Sequence, residues 1–239
     1  HILSNLTKLS DLTIIGTNVS ADDLAVIAGL PELTNLTLSG CNLSGIQNLS
    51  RATKLTYLDL SENAIKNIAP LSSMTGLLTL NLSKNALTSV ADLGGMAQLN
   101  ILDVSYNSLS SVAPLAGCTG LTDFTFPEDM QTIGSHAFHG CTGLTQVTVS
   151  SNAQLGSYIF QNCTSLEVAD LAYNAEVSEG MFSGCTNLHS VLMSRKMTSI
   201  GDEAFLNCEK LGSIYLDKNV TYIGDFAFFG CTSLEGLQI

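Results

Sequence analysis

A spacing constrains this chain more than any single residue does. Cys118, Cys141, Cys163, Cys185, Cys208 and Cys231 recur at intervals of 23, 22, 22, 23 and 23 residues, and each is followed three positions later by Leu. The first half keeps the same period with other residues. Leu9, Leu33, Leu55, Leu77 and Leu99 each open L-x-x-L-x-L-x-x-N or a close variant, at intervals of 24, 22, 22 and 22; a further 22 reaches Leu121. A fixed period in the twenties marks a solenoid, in which each copy buries its apolar face only against its neighbours. The phase holds where the pattern changes. We therefore expect one continuous stack, with residues 1–117 in the leucine pattern and residues 118–239 in the cysteine pattern.

Within each copy the L-x-L core alternates with period two, which predicts a short strand with one face buried. The inward pairs are Leu58/Leu60, Leu80/Leu82, Leu102/Val104, Phe124/Phe126, Val147/Val149 and Ile214/Leu216. Stacked copies then form a parallel sheet with strands ~4.8 Å apart. At the ninth position stand Thr17, Cys41, Asn63, Asn85 and Asn107. There the chain leaves the strand, and a small polar side chain repeated in register can satisfy backbone groups facing a dry interior.

The later copies align as I133GSHAF138HGC, L155GSYIF160QNC, V177SEGMF182SGC, I200GDEAF205LNC and I223GDFAF228FGC. Aliphatic and Phe columns five residues apart predict a short outer helical turn anchored inward, with Asp202 and Glu203 in its first turn. The column holding His139, Gln161, Ser183, Leu206 and Phe229 varies freely, and we expect it to face solvent. The next holds only Gly140, Asn162, Gly184, Asn207 and Gly230, the residue types that best tolerate positive φ. The cysteine that follows is expected in the core as a small hydrophobe. One insertion, "SADDLAVIAGLP", predicts a longer helix: Ser20 with Asp23 resembles a capping box, and Gly29 then Pro31 stop it.

The motif L-x-x-L-x-L-x-x-N/C at this period resembles the leucine-rich repeat family. "NAIKNIAPLSSMTGL" (Asn63 to Leu77) resembles the internalin-type 22-residue repeat, and "IGDEAFLNCEKL" resembles the BspA-like, or treponemal, repeat of bacterial surface proteins. The resemblance implies an α/β leucine-rich-repeat solenoid: a right-handed β-α superhelix with a concave parallel β-sheet and short helices, 3-10 turns or loops on the convex side. It implies that the ninth column is an asparagine ladder. It also implies a non-enzymatic protein-binding module, cell-surface or secreted, adhering to host or neighbouring-cell proteins. The alternative is a structural spacer of the cell envelope whose flanking domains carry the activity. Because the chain opens at His1, within a copy, a signal and anchor are expected outside this segment.

The remaining chemistry points the same way. With 9 basic against 21 acidic residues the net charge is −12, so no basic surface for nucleic acid or an anionic membrane is expected. No apolar run reaches the ~18 residues of a membrane span. Equivalent cysteines in one buried column would be poorly ionised and unreactive, and parallel side chains hold their Cβ atoms too far apart for a relaxed disulfide. A zinc site built on His139 with Cys141, or His189 with Cys185, is unsupported by the other copies, and no C-x-x-C pair occurs. Neither G-x-S-x-G nor H-E-x-x-H is present. We expect no catalytic residue, metal or cofactor. The Asn-x-Ser/Thr sequons are by-products of the repeat.

The exposed positions of the strands form the candidate binding face. Its middle column reads Thr13, Thr37, Asp59, Asn81, Asp103, Thr125, Thr148, Asp170, Leu192, Tyr215 and Gln238. Beside it run Ser39, Ser61, Ser83, Ser105, Ser150 and Ser194, readable either as binding surface or as turn chemistry. On this small, polar, mildly acidic face the candidate contact residues are Tyr57, Asp59, Asn81, Asp103, Asp170, Tyr215 and Asp217.

Overall fold

The computed structural model describes residues 2–109, 112, 115–127, 130–149 and 153–238. Every paired strand among them is parallel. Strands β1 (Asp11–Ile15), β2 (Asn35–Ser39), β3 (Tyr57–Asp59), β4 (Thr79–Asn81), β5 (Ile101–Asp103) and β6 (Asp123–Thr125) form one sheet in chain order. Residues one period apart pair directly, so that Leu36, Leu58, Leu80, Leu102 and Phe124 occupy one row. The fold is the predicted parallel solenoid. Each inward pair named above is buried, and each fully buried Leu or Phe contributes about 1.5–3 kcal/mol.

Opposite this sheet, the first half closes its coils with one α-helix and short 3-10 segments. Helix α1 (Ala21–Ala28) carries the predicted capping box: Ser20 Oγ accepts from the Asp23 amide at 3.1 Å, and Asp23 Oδ2 accepts from the Ser20 amide at 3.1 Å. The 3-10 segments Gln47–Arg51, Ala69–Ser73 and Ala91–Leu93 each turn one leucine, Leu49, Leu71 or Leu93, into the core.

The second half departs from the predicted helical turn. It carries two strands per coil: β7 (Thr132–Ile133), β8 (Gln146–Thr148), β9 (Gln154–Leu155), β10 (Val168–Leu171), β11 (Glu176–Val177), β12 (Ser190–Met193), β13 (Ser199–Ile200), β14 (Ser213–Tyr215), β15 (Tyr222–Ile223) and β16 (Gly236–Gln238). The longer strands continue the main face as β8-β10-β12 and β14-β16, while β7-β9 and β11-β13-β15 form a second, narrow ladder. The aliphatic column Ile133, Leu155, Val177, Ile200, Ile223 lies in that ladder. Beyond it, alternate amides reach the next coil rather than their own. His136 N donates to Ser157 O (3.0 Å), Phe138 N to Ile159 O (2.9 Å) and Gly140 N to Gln161 O (2.9 Å), and later coils repeat the pattern. A spacing of five suits a helix or this arrangement equally. Left-handed residues decide it, because a positive φ at His136, Tyr158, Gly180, Glu203 and Phe226 interrupts any helix. Asp202 and Glu203 consequently start no helix.

The predicted Gly/Asn column does have positive φ, from 59° at Asn207 to 78° at Gly230. The column before it, expected in solvent, is instead half-buried at His139, Gln161 and Leu206 and buried at Ser183; Phe229 is exposed. Inter-coil bonding draws this segment against its neighbours, which covers side chains that a free helical turn would display. Behind it Phe138, Phe160, Phe182, Phe205 and Phe228 stack with ring centroids 5.4–5.6 Å apart and planes within 21°. Phe124 and Phe126 meet Phe138 at 4.9 and 5.4 Å, filling the junction where leucine columns give way to the aromatic one.

In the second half, coil length varies at a single place. Val147 to Leu155 and Ala169 to Val177 span eight positions, whereas Phe124 to Ile133, Val191 to Ile200 and Ile214 to Ile223 span nine. Every other interval in these copies is constant, six from cysteine to strand and eight from the second ladder to cysteine. The extra residue falls in the connection between the two ladders.

Candidate interaction face

The main sheet turns one side inward and leaves the other uncovered by neighbouring coils. Asp59 pairs in register with Asn81, and Asn81 with Asp103. Each also serves its own backbone. Asp59 Oδ1 accepts from the Ser61 amide at 2.8 Å; Asn81 Oδ1 accepts from the Ser83 amide (3.0 Å) and hydroxyl (2.7 Å); Asp103 Oδ1 accepts from the Ser105 amide (2.9 Å) and hydroxyl (2.6 Å). This Asx-turn geometry bends the chain out of the strand. Asp170 does the same for the Ala172 amide at 2.9 Å. Ser61, Ser83 and Ser105 are therefore turn chemistry, and Ser61 and Ser83 are buried. Ser150 lies outside the described residues.

The other candidates are placed as follows. Tyr57 stands in register between Asn35 and Thr79, 38% exposed, and Ile101, two strands on in the same column, is 45% exposed. Tyr215 is 63% exposed on β14, and Asp217, past the strand end, accepts from the Asn219 amide at 3.1 Å and its Nδ2 at 2.7 Å. The first four of these residues, from Tyr57 to Asp103, share neighbouring strands; Asp170, Tyr215 and Asp217 sit several coils away. At the near end Asp11, Thr13, Asn35, Thr37 and Tyr57 line a depression of about 280 Å³. Asn35 Nδ2 donates to Asp11 there, and the hydrogen bonds of Ser10 and then Asn35 hold the Asp11 carboxyl below its ordinary pKa.

One column of this face escaped the sequence reading. Gly16, Gly40, Glu62, Lys84 and Tyr106 follow the strand exits, and all five have positive φ, from 53° to 65°. Glycines in the first two copies were the available signal. At Glu62, Lys84 and Tyr106 a side chain occupies a conformation that disfavours one by about 1–2 kcal/mol. Lys84 Nζ meets Glu62 Oε1 at 2.7 Å, and this hydrogen bond raises the lysine pKa; Tyr106 is 70% exposed.

Beneath the face, the asparagine ladder is present. Asn63 Oδ1 accepts from the Cys41 and Leu43 amides, both at 3.0 Å, and its Nδ2 donates to Leu38 O (2.8 Å) and Leu60 O (2.9 Å). Asn85 and Asn107 repeat this one and two coils on, accepting from the Ile65 and Leu87 amides at 3.0 Å. Cys41 takes the same position with its thiol, donating to Ile14 O at 3.3 Å.

Comparison with known proteins agrees with this geometry. The sequence model described as "BspA type Leucine rich repeat region" matches six copies over residues 114–235, more than half of the chain. The chain belongs to the BspA-type leucine-rich-repeat family. A general leucine-rich-repeat model matches residues 53–109 of this BspA-type protein. No curated protein sequence matches it. Among solved structures, a leucine-rich-repeat protein of Leptospira interrogans is 18% identical with a TM-score of 0.62, covering 99% of this chain and 67% of that one. An internalin of Listeria monocytogenes is 17% identical with a TM-score of 0.50, covering 99% and 88%. The ectodomain of the Arabidopsis thaliana receptor kinase GASSHO1/SCHENGEN3, solved in complex with Casparian strip integrity factor 2, is 18% identical with a TM-score of 0.61, covering 84% and 26%. At these identities the likeness is one of fold.

In the BspA-type copies each cysteine donates to a carbonyl of the preceding coil: Cys163 to Phe138 O (3.2 Å), Cys185 to Phe160 O (3.1 Å), Cys208 to Phe182 O (3.2 Å) and Cys231 to Phe205 O (3.1 Å). All seven cysteines are free thiols, buried except Cys231, which is half-buried. Burial pushes Cys141 up to about 12 and raises Cys163, Cys185 and Cys208 strongly. A nucleophilic cysteine needs the opposite shift. Among the described residues, no group of three or more His, Cys, Asp or Glu side chains is placed to hold a metal ion, and no helix is long and apolar enough to cross a membrane.

Proposed function

We propose that this chain is a non-enzymatic protein-binding module of a bacterial cell-surface or secreted protein, and that it adheres to a host or neighbouring-cell protein through the open face of the main sheet. The observation that carries the reading is that face. Coil stacking turns one side of the interior strands into the core and holds the other, with Tyr57, Asp59, Asn81, Asp103, Asp170 and Tyr215, in fixed register. A rigid array of this kind loses little conformational entropy on docking. Membership of the BspA-type family supports it, as does the fold shared with an ectodomain solved with its factor bound. The desolvated thiols support a non-enzymatic role. In this reading residues 1–117 and 118–239 act as one unit.

The test is a binding screen of the immobilised chain against extracellular-matrix and cell-surface proteins. A partner should be lost when Thr37→Arg and Asn81→Arg block the face, and kept when Asp92→Arg alters the 3-10 segment opposite. The absence of any partner would return the chain to the spacer reading.

A further inference from the structure

The strands of the first half carry acidic side chains and no basic ones. β1 to β5 carry Asp11, Asp59 and Asp103 and no Lys, Arg or His. The cation nearest the strand exits, Lys84, is already paired with Glu62. The fold does not require the negative charge. Asn81, between the two aspartates, makes the same bonds to Ser83 with a neutral amide that Asp103 makes to Ser105 with a carboxylate. In both aspartates Oδ1 does the structural work, and Oδ2 makes no hydrogen bond among the described residues. Alongside them Tyr57 and Ile101 hold exposed apolar surface on the neighbouring column. On the rim, Glu62, Lys84 and Tyr106 keep side chains in a conformation that suits the glycine found at Gly16 and Gly40.

We propose that β1–β5 dock a Lys- or Arg-bearing segment of the partner protein, its apolar residues on Tyr57 and Ile101 and its cations at Asp59 and Asp103. This rests on the binding-face reading above and adds the partner's chemistry and its position. Two strand spacings separate the aspartates, about 10 Å, which one three-residue turn of a polyproline II segment spans with both side chains on the same side. Matching cations therefore stand three apart in the partner.

The experiment titrates the full chain with short dye-labelled peptides of equal apolar content, carrying either Arg or Glu at every third position, read by fluorescence anisotropy. Binding of the Arg peptide alone is expected, weakening at least about tenfold between 0.05 and 0.5 M NaCl as the charges are screened. Asp59→Asn with Asp103→Asn should weaken it by about five- to tenfold with an unchanged thermal melt, because Asn81 already shows that the amide fits. Asp92→Asn, on the 3-10 segment opposite the face, should change nothing. Equal binding of the Glu peptide, or indifference to the double substitution, overturns the cationic partner. If Thr37→Arg with Asn81→Arg still abolishes such charge-independent binding, the face itself stands. Absence of binding by either peptide overturns this proposal, and the protein screen then decides whether the broader reading falls with it.

Discussion

Each cysteine of the second half is a small side chain that must also close a hydrogen bond, and a thiol donating to a carbonyl one coil away does both. Its cost appears at high pH. Burial lifts Cys141 from near 9 to about 12 and raises its neighbours, so the folded chain holds these protons more tightly than the unfolded one does. That stabilisation is complete below about pH 8.5, the ordinary thiol value, and is lost as pH rises through the folded values. Thermal melts should stay flat up to that pH and then fall steadily, with a shallower fall in Cys141→Ala. An aromatic disulfide reagent should label Cys231 first, and the buried thiols only as the chain opens; rapid labelling of all seven would contradict the seam. Asn107, only 5% exposed, is the other residue of this kind. Its replacement by Ala leaves the Leu87 amide without its acceptor and takes one donor from the Leu82 and Val104 carbonyls, and should cost about 2–3 kcal/mol in urea unfolding.

At the scale of the element, local pattern and inter-coil bonding compete, and the second half shows which wins. The strands, the ladder and the thiol column were legible because period-two alternation and a column restricted to Asn or Cys admit few physical explanations. The segment from Ile133 to Phe138 was misread because a five-residue interval does not say whether an amide bonds within its coil or to the next. Tyr158 shows what followed. Its ring lies over Gly180, where an added Cβ would come within 2.1 Å of it, and its hydroxyl donates to Glu179 at 3.1 Å and Glu203 at 3.4 Å. Gly180→Ala would both displace that ring and place a side chain at φ +57°, so a loss of roughly 1–3 kcal/mol is expected, measurable by chemical denaturation. That Asp59, Asn81 and Asp103 share one outward-facing, half-buried row was legible from alternation. The rim of Glu62, Lys84 and Tyr106 was not, because a left-handed backbone leaves its trace mainly when glycine occupies it, and here glycine does so in two copies alone.

The whole molecule is a stack whose coils stabilise one another, most visibly through the aromatic column. Removing one ring from its middle with Phe182→Ala should cost about 3–5 kcal/mol. Because Phe160 and Phe205 each lose a face, faster amide exchange is expected in both flanking coils rather than in the substituted one alone. Exchange confined to one coil would show that the stack opens piecemeal. The connection between the two ladders has a different character, since it alone absorbs the step from 22 to 23 residues. It is a slack point in a tightly indexed chain. A peptide tag spliced between Lys218 and Asn219 should leave the folded signal and melting behaviour intact, whereas the same tag between Phe205 and Leu206 should abolish them. This seam is thus a natural port, through which such arrays can acquire new loops while their bookends and spacing stay unaltered.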